Sequence, residues 1–199
     1  TNLSINYNYI FKNINIFGES ARSSNGGYGH LVGALVGLNR VTSLSILYRD
    51  YAKDYHAIQG AAFGSSSTNQ NERGSFIGLE FHPTVKWTFQ LYSDIWKYPW
   101  LKFSADSPSN GFEYLGRATF TLKRKLDAYL QIKYTDKQMN IATSEASHYP
   151  YLINEKKTQL RFHIGHKLNK NIELRNRAEF VMFSRGSDVE RGYMLYQDV

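Results

Sequence analysis

Apolar and polar residues alternate with period two along most of the chain, and no stretch sustains the three-to-four spacing of an amphipathic helix. The pattern is cleanest between positions 126 and 135. Leu126, Ala128, Leu130, Ile132 and Tyr134 fall on one side, and Asp127, Tyr129, Gln131, Lys133 and Thr135 on the other, as successive side chains of a strand must. Leu160, Phe162 and Ile164 oppose Gln159, Arg161 and His163 in the same way. Ile172, Leu174, Ala178 and Phe180 oppose Glu173, Arg175, Arg177 and Glu179. Earlier, Leu3, Ile5, Tyr7 and Tyr9 alternate with Ser4, Asn6 and Asn8, and Trp87, Phe89 and Leu91 alternate with Lys86, Thr88 and Gln90. The pattern predicts about ten strands, many of ten or more residues, whereas ordinary globular strands have a mode near five or six. A strand crossing a bilayer at a tilt of about 45° needs roughly 9–11 residues, so the length fits a membrane wall.

The connections alternate as well. Short polar turns are predicted near Val41 and Thr42, from His82 to Val85 around Pro83, from Lys123 to Lys125 and from Leu168 to Asn171. Longer polar segments lie between them, at 64–73, 104–110, 137–154 and 184–190. Short turns on one edge and long loops on the other describe an antiparallel meander of the outer-membrane kind. Aromatic residues follow the same two edges: Phe81, Trp87 and Phe120 lie near short turns, and Tyr48, Tyr114 and Tyr134 lie toward the long loops, as two interfacial girdles would. The fold class predicted is all-β, an antiparallel up-and-down transmembrane β-barrel.

Composition narrows this further. The chain has 199 residues, 42% of them hydrophobic and 21% charged, too apolar and too weakly charged for a disordered tail. Aromatics reach 15%, which suits β structure. No apolar run approaches the roughly 20 residues of a membrane-spanning helix, the longest being Leu31 to Leu38 with Gly33 and Gly37 inside it. There is no cysteine, so disulfides, thiolate metal sites and cysteine nucleophiles are excluded. The net charge is +7, but the basic residues are dispersed over turns and strands, which suits contact with lipopolysaccharide phosphates at least as well as nucleic acid. The first residue is Thr1, with no basic segment leading into an apolar one, so a signal peptide is expected to be absent already.

Several segments stand out in order along the chain: Tyr48-Arg49-Asp50-Tyr51; Ala61-Ala62-Phe63 before a Ser-rich loop; Asn71-Glu72-Arg73-Gly74; and Asp94-Ile95-Trp96-Lys97-Tyr98-Pro99-Trp100-Leu101. Ala105-Asp106-Ser107-Pro108-Ser109 with Gly111, and the run from Tyr193 to Val199, complete the set. Together they resemble the barrel region of the helix-hairpin-helix domain-containing outer-membrane proteins of the Bacteroidota. The resemblance covers most of the chain from Phe17 onward and implies a bacterial cell outer membrane address and a barrel architecture. It departs in two places: nothing here matches the helical module, and the chain stops at Val199 without a terminal aromatic. Residues 1–199 are therefore expected to be a single barrel segment, incomplete at both ends, of a larger barrel.

The most suggestive chemistry is charge on strands whose alternate residues are apolar: Glu113, Arg117, Lys133, Arg161, His163, Glu173, Arg175, Arg177 and Glu179. Facing lipid, each would cost up to a few kcal/mol at the bilayer midplane, so all are predicted to face a lumen. They can line a pore that selects solutes by charge, or pair with one another to fill a narrow or plugged lumen. Tyr48, Phe81, Trp87, Trp96, Trp100, Tyr114 and Tyr134 are the predicted interfacial aromatics. From Asp94 to Trp100 the alternatives are a belt closing a strand before Pro99 and an aromatic platform for a glycan or partner. Asn71 and Glu72 are read as turn-shaping residues or a calcium or partner contact. Of the six histidines, His163 and His166 lie three apart and so on opposite faces, against a shared metal.

No Gly-x-Ser-x-Gly elbow, Gly-rich phosphate loop or His-Glu-x-x-His pair occurs. The expected role is non-catalytic, with no cofactor: a transport conduit, or a structural scaffold subunit of an envelope complex with envelope protein partners. Outer-membrane lipid and lipopolysaccharide are the expected surroundings, and nucleic acid is not expected to bind this segment. The competing classes are a soluble carbohydrate-binding β-sandwich that uses Trp96 and Trp100, and a DNA-uptake component acting through a helical module absent from this chain.

Overall fold

A computed structural model describes residues 2–57, 60–123, 125–141, 151–169 and 172–199. They form one antiparallel sheet in strict chain order, with no helix among them. Its strands are β1 (Asn2–Phe11), β2 (Ile14–Ser23), β3 (Tyr28–Asn39), β4 (Thr42–Tyr51), β5 (Glu72–Thr84) and β6 (Trp87–Tyr98), followed by β7 (Ser109–Leu122), β8 (Leu126–Asn140), β9 (Leu152–Lys167), β10 (Glu173–Arg185) and β11 (Asp188–Asp198). The shortest have 10 residues and the longest, β9, has 16. Each strand pairs with its chain neighbours, which is the up-and-down arrangement. The single sheet excludes the soluble sandwich, which needs two sheets stacked with their apolar faces inward.

Register carries the two-faced pattern across the sheet. One transverse row runs Glu19, Leu31, Arg49, Gly74, Trp96, Gly111, Lys137, Glu155 and Arg185. A row on the opposite face runs Val36, Leu44, Leu79, Leu91, Gly116, Ile132, Leu160, Phe180 and Tyr193. The charged face is the concave one. Arg49 on β4 reaches Asp94 on β6, and Arg185 on β10 touches Met139 on β8. Side chains two strands apart, with roughly 10 Å between their backbones, converge when the sheet curls toward them.

Burial is inverted relative to a water-soluble protein. The fully buried large side chains are Arg49 and Glu72, while Leu130, Ile132, Leu91, Ile95 and Ile77 are each about half exposed on the convex face. On β8 the outward residues stay apolar from Leu126 to Tyr134, eight steps of about 3.3 Å, or about 26 Å along the strand. Arg191 on edge strand β11 departs from this band.

One edge carries only short connections, at residues 12–13, 40–41, 85–86, 123–125 and 168–172. Lys12 and Gly186 occupy the left-handed region that tight turns use, with φ of 53° and 60°. Pro83 sits where the β5–β6 register shifts, the place where a strand tolerates a residue without an N–H. The other edge is mixed. Its longest connection is 52–71, followed by 141–151 and 99–108, but 24–27 is short and the predicted loop at 184–190 is a tight hairpin around Gly186 and Ser187. Half of the predicted loop at 137–154 lies outside the described residues, and its two ends extend β8 and β9.

Candidate functional site: the charged concave face

At the long-loop end, the concave face is organised by one guanidinium. Arg49 donates from Nε to Glu72 Oε1 at 2.6 Å, and from Nη1 and Nη2 to the two Asp94 oxygens at 2.8 and 3.1 Å. Its side chain and that of Glu72 are fully buried. Room for the guanidinium comes from Gly74 on the neighbouring strand, where a Cβ would lie 2.5 Å from Arg49 Cζ. Any side chain there would displace the ion pair.

The same cluster pulls the β4–β5 connection inward. Ser65 and Ser66 donate their backbone N–H groups to Glu72 Oε1 and Oε2 at 2.9 and 3.2 Å, and Ser65 Oγ shares a 2.6 Å hydrogen bond with the Tyr98 hydroxyl. Phe63 lies under Arg49, with the guanidinium carbon 5.2 Å from the ring centroid, and meets Phe76 edge-on at 5.3 Å. The Tyr51 hydroxyl donates to the Phe63 carbonyl. Asn71, in the left-handed region at φ 53°, sends its amide to the Trp100 and Leu101 carbonyls and accepts from the Trp100 N–H. The loop is thereby fixed at its middle to the sheet and at its C-terminal end to the next long loop.

Between this loop and strands β5–β8 lies a cavity of about 570 Å³, lined by Phe63, Phe76, Tyr92, Trp96, Glu113 and Lys137 among others. Glu113 accepts from the Tyr92 hydroxyl at 2.5 Å and from Thr135 at 3.0 Å, and pairs with Lys133 at 2.9 Å. Glu155 bridges Lys137 and Arg185 at 2.9 and 2.6 Å. In the β6–β7 connection, Lys102 lies 3.6 Å from the centroid of Tyr98, and burial, followed by the nearby Lys137 charge, lowers its pKa.

Register places Glu113, Arg117, Lys133, Arg161, His163, Glu173, Arg175, Arg177 and Glu179 on the concave face together. Most are paired within the set or nearby: Arg161 with Glu179 at 2.8 Å, Glu173 with Arg175 at 2.8 Å, and Glu113 with Lys133. His163 Nε2 is 3.5 Å from Asp127 Oδ2. Arg117 stacks over Tyr129 at 3.9 Å, and neither its Nε nor that of Arg177 has a hydrogen-bond partner among the described residues. His166 falls on the opposite face from His163. Among the described residues, no three metal-ligating side chains converge.

The aromatics divide. Tyr48, Phe81, Trp87, Tyr114 and Tyr134 lie on the convex face, with Trp87 5.0 Å from Phe120 and Phe81 6.3 Å from Phe89. Trp96 does not belong to a girdle: it is buried on the concave face against Gly111, because Ile95 takes the outward position beside it. Trp100 lies beyond the end of β6 with the Lys53 ammonium 4.3 Å from its centroid. The two tryptophans therefore form no joint platform. Arg49 and Asp94 were not singled out by charge alternation, yet Arg49 alternates with the outward Ile46 and Tyr48, and Gly74 stands opposite it.

Removing one partner from this buried cluster leaves an uncompensated charge. Arg49→Ala is expected to cost about 3–5 kcal/mol in urea unfolding, and an all-apolar replacement of Arg49, Glu72 and Asp94 to cost much less. Equal losses for the two variants would contradict that desolvation account. Limited proteolysis of Arg49→Ala should also show new cleavage between residues 60 and 70, and an unchanged digestion pattern would mean that other contacts hold the loop.

No family model matches the chain, and neither does any curated protein, so the Bacteroidota resemblance gains no support from either comparison. Among solved structures the chain is similar to a NanC porin in a rhombohedral crystal form, at 13% identity and a TM-score of 0.41, covering 98% of this chain and 90% of that one. Those scores carry neither a residue role nor an activity across.

Proposed function

We propose that this chain forms the wall of a β-barrel conduit in the bacterial outer membrane, with the inward-folded β4–β5 loop as its constriction. The observation that carries the reading is the inverted sheet: a concave face of charged and hydroxyl groups backed by a convex face of exposed Leu, Ile and aromatic residues. The outward apolar stretch of β8, the nine residues from Leu126 to Tyr134, meets the roughly 9–11 residues that a tilted strand needs to cross a bilayer. Trp87 and Phe120 at one margin, and Tyr114 and Tyr134 at the other, occupy the interfacial positions of such a belt. In a bilayer the open edges of β1 and β11 must both be covered, by each other or by further strands, since lipid satisfies no backbone group.

Polar solutes fit the concave face because it offers donors and acceptors of both signs. Opposite charges pair across neighbouring strands along the wall, whereas Arg117 and Arg177 form no salt bridge with a carboxylate among the described residues. A scaffold role in an envelope complex is the second arm of the test.

Planar-bilayer recording of the purified protein should show stable conductance steps, and Arg117→Glu with Arg177→Glu should shift ion selectivity toward cations. A correctly inserted but silent protein would sink the conduit and favour the scaffold. The two faces can be tested separately. Ile132→Arg should destabilise the vesicle-inserted protein by about 2–4 kcal/mol, and Thr119→Arg, on the concave face opposite the uncharged Thr88 and Tyr129, by far less. Similar losses at both positions would refute the assignment of the convex face to lipid.

A further inference from the structure

On the convex face, just above the apolar band, two cations stand directly opposite one another: Arg73 on β5 is the cross-strand partner of Lys97 on β6. Like charges in that relation repel, and a sheet normally avoids them. Arg73 is partly compensated by Asp50 on its far side, where Nε meets Oδ1 at 2.9 Å. Lys97 is exposed and has no acidic partner among the described residues.

Below this pair the surface is hollow. A concavity of about 690 Å³ is walled by Tyr48, Ile95 and Phe112 and rimmed by Arg73, Lys97 and Asn110. Its depth comes from small residues: Ser75 stands between Tyr48 and Ile95 in the transverse row, and the backbones of Gly74 and Gly111 form part of the lining. The site thus has an apolar lower wall at the level where the band ends and a doubly positive upper rim with an amide beside it. This is on the long-loop edge, which in outer-membrane barrels is the extracellular one.

We infer that this groove binds the phosphorylated glycolipid of the outer leaflet, lipid A, with a glucosamine phosphate between Arg73 and Lys97 and an acyl chain against Tyr48, Ile95 and Phe112. The inference rests on the outer-membrane reading above. A phosphate between the two cations converts their repulsion into two charge-assisted contacts. The acyl chain fills a hollow that otherwise exposes Ile95 and Tyr48 at the interface. Asn110 and the Tyr48 hydroxyl supply polar contacts that suit a sugar headgroup better than glycerol.

Native mass spectrometry of the protein in detergent, titrated with lipid A or with dioleoylphosphatidylglycerol, tests this directly. Lipid A should be retained in preference to the glycerophospholipid, and Lys97→Glu should weaken its retention roughly tenfold. Ser75→Trp fills the hollow while keeping both cations, and should weaken it as well. Lys156→Glu, an exposed cation on the same face outside the groove, serves as the control and should bind normally. Equal retention of the two lipids, undiminished binding by Lys97→Glu, or an equal loss in Lys156→Glu would each overturn the proposal. Failure of the underlying reading looks different: the protein would not insert into vesicles at all, whereas an inserted protein indifferent to Lys97→Glu rejects this site alone.

Discussion

Unbroken antiparallel register is the constraint on which the rest of this structure depends. Side chains alternate with period two, so a slip of one residue between any two strands would carry every charge of one strand to the convex face. The nine ladder residues sit on four different strands, β7 to β10, and share a face because the pairing between those strands runs without a shift. The irregularities that do occur, after Gly37 and between Phe81 and Thr84, lie at the short-turn end, where few residues remain to be displaced. Turn geometry and face chemistry therefore enforce the same register from two directions.

Within that frame the concave face needs internal partners. Charged groups turned away from water stay ionised at low cost when each finds an opposite charge and its remaining hydrogen-bonding capacity is used. Arg49 meets this condition most fully, holding two carboxylates while stacked on Phe63. The cluster also converts electrostatics into shape. Glu72 can accept the Ser65 and Ser66 N–H groups only because Arg49 holds its carboxylate in place, so one guanidinium sets how far the β4–β5 loop enters the concavity. Gly74 and Gly111 serve the same end, each ceding its side-chain volume to a large neighbour, Arg49 or Trp96.

Much of this was legible in the sequence, and what was missed has particular causes. The alternation of Leu126 to Thr135 gave β8 its faces without ambiguity, and the short turns at 40–41 and 123–125 were marked by Asn39-Arg40 and by the basic run from 123 to 125 between apolar stretches. Trp96 was misread because Trp, Pro and Tyr cluster there and suggest an interfacial belt. Extending the period from Trp87 through Phe89 and Leu91 to Ile95 puts Trp96 on the other face, so the signal was present. The tight hairpin at Gly186 was hidden by flanking polar residues that resemble a loop, although a glycine between two charged strand ends is itself a turn signal. The Arg49 cluster was harder to find. Glu72 and Asp94 lie 23 and 45 positions from Arg49, and only the pairing of three strands brings them together.

The edges follow a different logic from the interior. Each strand pairs with the next in the chain, so the sheet grows by successive hairpins. Only β1 and β11 are left with an unpaired side, and they carry the most exposed residues of the sheet. In water such edges invite pairing with other chains. In hydrocarbon an unpaired backbone N–H or C=O costs several kcal/mol, far more than any one side-chain contact returns. Closure is therefore a backbone requirement that the side chains do not set. In the bilayer proposed for it, the alternating pattern would fix which face meets lipid, and the hydrogen-bonding demand of the two edge strands would require that neither edge stay open there.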